Sequence, residues 1–212
     1  MSTEKVYTPG EDRLNVITHG TGFIVAILAS FILLNKGYRE GIQLRFICYL
    51  VYCFGLITLY LASTLFHSAK DPAWRKRLNI FDHSAIYVLI AGTYTPITLL
   101  SIKGTWGLII FCIAWTLALV GIILKLFFTG RYSKISTLTY VLMGWLIIIA
   151  IKPLINSMAV QGLLWLLAGG FFYTIGAVLY QKKSMKYNHA IFHVLVLLGS
   201  MCHYIVILNY TN

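Results

Sequence analysis

His189 and His193 stand four residues apart in the apolar stretch "NHAIFHVLVLLGSMCHY". On a helix that step leaves two imidazoles about 40° apart around the axis and about 6 Å apart along it, so both reach one ion. By itself such a pair is equally a pair of hydrogen-bonded core histidines. Other residues able to do chemistry recur in three short segments. "STLFH" carries Ser63 and His67 on one helical face, "FDHSA" carries Asp82 and His83, and "EDRLNVITH" places Glu11, Asn15 and His19 at four-residue steps. Three imidazoles with a carboxylate or a water make a catalytic zinc arrangement, in which the fourth position stays open to the reacting group. The ligands assigned are His67, His189 and His193. Asp82 either binds Zn2+ directly or acts as general base toward a water the metal acidifies, and the second role is favoured. Ser63, one turn deeper than His67, donates to a ligand or stabilises an oxyanion; its simpler role is a bond back to its own helix.

These residues must be positioned by membrane-spanning helices. Of 212 residues, 59% are hydrophobic and 11% charged, and the mean hydropathy is +0.81, values outside the soluble range. Seven apolar stretches of spanning length occur at roughly 13–34, 44–67, 80–101, 105–128, 135–151, 160–180 and 188–208. The fold class expected is all-α: a seven-transmembrane helix bundle in one domain, residues 1–212. The connections are too short for a separate soluble domain. Segments such as "FGLITLYLASTLF" lack the alternation of a membrane β-barrel. The polar, mixed-charge start "MSTEKVYTPGEDRLN" has no apolar core or cleavage site of a secretory signal, so the first span is expected to stay.

The 17 Lys and Arg against 6 Asp and Glu would suit a nucleic-acid partner only if they formed one patch. Sorted by loop they give an orientation instead. Twelve fall on the side of the N-terminus and the second, fourth and sixth loops, including Lys5 and the run Arg75, Lys76, Arg77. Five, Lys36, Arg39, Arg45, Lys103 and Lys152, fall on the other. The expectation is a multi-pass protein of the cell membrane with its N-terminus cytoplasmic and C-terminus outside, with "WRKR" at 74–77 meeting anionic lipid. No nucleic acid is expected as a partner; membrane lipid is. Cys48, Cys53, Cys112 and Cys202 lie in apolar spans without paired spacing and read as buried small hydrophobes. "NYT" at 209–211 matches a glycosylation sequon by letter only.

With this orientation, the end of span 2 and the starts of spans 1, 3 and 7 share one depth, and five of the six histidines fall there. An ionisable group at membrane depth costs roughly 2.5–3.5 kcal/mol, so a shared depth calls for a shared cause. His83 points about 100° away from Asp82 and is expected to face a loop or the lipid interface. His203, about 15 Å along the helix from His193, cannot join the same ion; a hydrogen bond to a facing Ser, Thr or Tyr, or a proton relay, accounts for it. Pro96 is expected to kink span 3, with Thr or Tyr meeting the freed backbone groups.

The set Ser63 and His67, Asp82, and His189 and His193 resembles the progestin and adipoQ receptor superfamily. The entry of Glu11, Asn15, Thr18 and His19 is similar to the bacterial hemolysin III branch. The resemblance covers essentially the whole chain. It implies seven helices, a cytoplasmic N-terminus and a zinc held near that face by three histidines. It also implies ceramidase-like hydrolysis of a lipid amide or other acyl bond. The expected function is therefore a zinc-dependent intramembrane hydrolase, with "GWLIIIA" (144–150) and "GGFFYTIGAVLY" (169–180) giving close packing or room for an acyl chain. The alternatives are a non-enzymatic lipid-state sensor with structural zinc, to which Asp82 ligating directly would point, and a cytolysin or pore, against which the scarcity of charge inside the spans argues. A retinal protein is excluded because no Lys follows Lys186 in the last span.

Overall fold

A computed structural model describes residues 7–102 and 104–211; Lys5 and Lys103 of the charge sorting lie outside the described residues. Among the described residues there is no strand. Seven helices are long and apolar enough to cross a membrane: α1 (Pro9–Glu40), α2 (Gln43–Ser68), α3 (Pro72–Ser101), α4 (Thr105–Phe128), α5 (Ser133–Ser157), α6 (Val160–Gln181) and α7 (Asn188–Tyr210).

Helix ends are set by capping chemistry rather than by hydropathy, which is why two spans outrun their apolar windows. At the start of α1 the Thr8 side chain accepts from the Glu11 N–H, the Glu11 carboxylate accepts from the Thr8 N–H, and Pro9 occupies the first turn. The helix stops at Gly41, whose φ of 69° favours glycine. The Asp71 carboxylate caps α3 through the Trp74 N–H, and Pro72 follows. The helix thus begins well before residue 80, and Asp82 sits almost three turns inside it rather than opening it.

Two spans are irregular in their second halves. Beyond Pro96, which has no N–H to give, Ile97–Ser101 winds as a π-helix. Thr93, Thr95 and Thr98 donate back to the carbonyls of Leu89, Ala91 and Tyr94. Helix α5 breaks after Gly144 into a 3-10 stretch, Leu146–Ala150, and resumes at Ile151. Tyr94 of α3 bridges that break, its hydroxyl donating to the Gly144 carbonyl and accepting from the Ile147 N–H, both at 2.9 Å. An unpaired backbone group in hydrocarbon costs several kcal/mol, so this phenol is what permits the break.

Helices α2 and α3 form the centre of the bundle. Tyr49, Tyr52 and Tyr60 of α2 are fully buried, and the two backbones touch at glycines. A Cβ at Gly55 would stand 3.1 Å from the Leu89 Cα, and one at Gly92 would stand 3.2 Å from the Val51 carbonyl oxygen. Around this pair, α1 joins α2 to α7, α6 packs on α7, α4 on α3, and α5 spans between α3 and α6. Helix α5 is the most peripheral, with 17% of its apolar window buried against 72% for α3. Large apolar side chains such as Phe31, Phe54 and Phe127 face outward. In water each would forfeit about 1.5–3 kcal/mol, so lipid is the solvent these faces fit. Cys48, Cys53 and Cys202 are buried and unpaired as expected; Cys112 differs, lying on an exposed face of α4.

Candidate metal centre

His67 closes α2, and His189 and His193 occupy the first two turns of α7. Each offers one ligand atom, and the three atoms lie within 4.8 Å of one another. All three residues are buried. The Nε2 atoms of His67 and His189 are 3.2 Å apart. Metal–nitrogen bonds of 2.0–2.1 Å in a tetrahedron put two nitrogens about 3.3 Å apart, so the spacing is that of donors around one ion.

The opposite edges of the rings show which nitrogens are free to bind. His67 Nδ1 meets the Asp12 carboxylate at 2.9 Å. A carboxylate only accepts, so Nδ1 carries the proton and Nε2 keeps its lone pair. His193 Nδ1 meets Thr18 Oγ1 at 3.1 Å, while that hydroxyl donates to the carbonyls of Leu14 and Asn15. The single hydroxyl proton is committed to the backbone, so His193 Nδ1–H is the donor here too. His189 Nδ1 lies 2.7 Å from the Tyr7 hydroxyl. Burial, with Tyr180 and Asp82 nearby, pushes the Tyr7 phenol well above its ordinary value, so it stays a neutral hydroxyl, able either to donate to His189 Nδ1 or to accept from it. His67 and His193 thus turn lone pairs toward one point, His189 does the same when its Nδ1 carries the proton toward Tyr7, and these residues fit a metal ion.

One face of α1 supplies most of this support. Asp12, Asn15 and His19, at steps of three and four residues, line up toward α2 and α7. Arg75 of α3 holds the Asp12 carboxylate at 2.8 Å, so it bonds both a guanidinium and an imidazole. The Asn15 amide stands 3.3 Å from His67 Nδ1. His19 stacks on His193 with ring centres 3.5 Å apart, outside the triad. Glu11, the acid expected on this face, is used in the helix cap instead. The supporting acid is its neighbour Asp12, joined by Tyr7 and by Arg75 of the basic run, none of which the spacing of the histidines alone points to. The signal available for Asp12 was its position three residues before Asn15 and seven before His19.

Asp82 is buried and is not one of the three grouped ligands. It lines, with Ser63, His19, His189 and His193, a cavity of about 1710 Å³. Ser63 lies beside the Asp82 carboxyl, and among the described residues its buried Oγ makes no bond back to its own helix, the simpler of its expected roles. His83 does not face a loop. It turns inward, donates from Nδ1 to the Asn79 carbonyl at 2.9 Å and lines the same cavity, because α3 continues as a helix on both sides of it. His203 finds the backbone carbonyl of Leu166 at 3.3 Å rather than a hydroxyl. The start of α7 is tied to the end of α6 by Asn188, which donates to the Tyr180 carbonyl at 2.9 Å.

Comparison with known proteins agrees with this architecture. Residues 7–204 match the model of the family described as haemolysin-III related. The chain belongs to that family. It is 46% identical to the hemolysin-3 of Bacillus cereus over 94% of this chain and 91% of the relative. It is 42% identical to the hemolysin-3 homolog of Bacillus subtilis (strain 168), over 97% and 96%. The human monocyte to macrophage differentiation factor is 26% identical over 94% of this chain and 84% of its own length. This haemolysin-III family member is a multi-pass membrane protein whose described residues include three buried histidines able to hold a metal.

Proposed function

We propose that this haemolysin-III family protein is a zinc-dependent intramembrane hydrolase of lipid amide or ester bonds, with its centre facing the cytoplasm. The observation that carries the reading is the fixed orientation of the three imidazoles beside a large cavity that also holds Asp82. A zinc ion there would supply Lewis acidity toward an acyl carbonyl and acidify a water toward pKa ~7. His67, His189 and His193 would hold it, and Asp12, Tyr7 and Thr18 would keep their Nδ1 protons in place.

Asp82 takes the proton of the attacking water as general base and returns it to the leaving nitrogen or oxygen. Its burial beside Ser63 keeps it out of bulk water. Ser63, with no other partner, orients that carboxyl or donates to oxyanion charge on the substrate. The cavity wall continues away from the triad past Tyr94, Gly144, Trp145 and Gly170. A Cβ at Gly144 would meet no atom within 4 Å, which leaves room for an acyl chain. A purely structural zinc closed by Asp82 has less support, because Asp82 stands apart from the grouped ligands. Cytolysis is suggested only by the names of the Bacillus relatives.

The test is metal content per chain on detergent-purified protein after mild chelation, followed by hydrolysis of acyl-amide and acyl-ester lipids by the same sample. About one zinc per chain, with turnover lost in Asp82→Ala, supports the reading. A folded, monodisperse chain without zinc sinks it.

A further inference from the structure

Lys125, near the end of α4, is buried, at 5% exposure, and forms no ion pair among the described residues. Its Nζ donates to Ser136 Oγ of α5 at 2.6 Å and stands 5.7 Å from the centre of the Tyr140 ring. An ammonium has three N–H donors, and a buried one without a counter-charge is costly, so the site lacks an anion. Asp82 is the acid whose field reaches Lys125, and both line the cavity, but the two form no ion pair. The cavity is also lined by Lys76, Arg131 and Lys183; Arg75 is already paired with Asp12. The cavity lining is therefore cationic in excess.

The backbone explains why Lys125 spans open space. Helix α4 packs on α5 most closely at the 3-10 stretch Leu146–Ala150, well away from the end where Lys125 sits. There Lys125 reaches across to Ser136. Leu126, Phe127 and Tyr132 both line the cavity and face outward, so this gap borders the lipid.

We propose that this gap is a binding site for the phosphate or carboxylate headgroup of a single-chain membrane amphiphile, with Lys125 as its buried anchor and Ser136 as the group that positions it. The anion would receive the free ammonium donors in charge-assisted bonds, and the chain would follow the apolar wall toward Val141. Its anchor is distinct from the histidine triad, although both line one cavity, and its binding does not depend on hydrolysis.

The experiment is saturable binding of radiolabelled dodecyl phosphate to full-length protein in phosphatidylcholine nanodiscs, with empty discs subtracted. Wild type should bind it, and Lys125→Met should weaken binding about tenfold or more while Lys125→Arg retains it, as expected for loss of one charged hydrogen bond. Dodecylphosphocholine, equal in chain but zwitterionic, should compete about tenfold less well. Equal binding by wild type and Lys125→Met overturns the proposal, as does equal competition by the zwitterion. Displacement by inorganic phosphate at matched concentration would assign the anion site to a soluble ligand and overturn the amphiphile. Binding should persist in His189→Ala/His193→Ala; its loss there would place the anion on the triad and overturn the site. If Lys125→Met fails to fold, Lys125→Gln, which can still bond Ser136 without charge, makes the same comparison.

Discussion

His193 and His203 sit on one helix, ten residues apart, both in a membrane span, yet the structure uses them in opposite ways. Around His193 two other helices contribute three groups: Thr18 of α1 holds Nδ1, His19 of α1 stacks on the ring, and His67 of α2 approaches with a second donor. Around His203 there is the Leu166 carbonyl, the edge of Tyr173, and Gly169, where a Cβ would collide with the ring. The difference lies in what neighbouring helices bring. A lone pair turned toward other lone pairs is a metal site, whereas an N–H turned toward a carbonyl is a satisfied core group.

The largest test of that contrast is to remove each kind of histidine. The His189→Ala/His193→Ala double variant should fall from about one metal per chain to less than about a tenth, since a single imidazole does not hold the ion. His203→Ala should retain its metal. Equal loss in both would break the distinction. Next in size is the base: Asp82→Asn should retain metal but lose about 10²–10⁴-fold in hydrolysis of an acyl-lipid substrate, as for other general bases. Loss of metal in this variant would instead make Asp82 a ligand.

The supporting residues should have smaller effects. Asp12→Asn replaces an obligate acceptor for His67 Nδ1–H and should weaken metal affinity about 10–100-fold, measured by competition with a chromophoric chelator. Its partner Arg75 should matter through Asp12, so Arg75→Gln added to Asp12→Asn should cost little more. Least of all at the metal, Gly169→Ala should push the His203 ring aside and destabilise the bundle by about 1–3 kcal/mol, with metal content unchanged. Thermal unfolding in detergent separates that outcome from damage to the centre.

The sequence by itself determined the solvent, the number of spans and the identity of the three histidines. Hydrophobicity sustained over about 20 residues has one physical use, and ionisable groups inside it are too costly to be incidental. Further local signals lie at the helix ends, where Thr8, Glu11 and Asp71 set the boundaries, and at Asp12, one residue from Glu11. Only the tertiary structure decided the rest. That Asp12 and not Glu11 holds His67, that Tyr94 repairs a break in α5, and that Lys125 crosses a gap to Ser136 all depend on which faces of separate helices meet. Those pairings join residues 11 to 55 positions apart in the chain, and no periodicity within one helix carries the rotation of its neighbour.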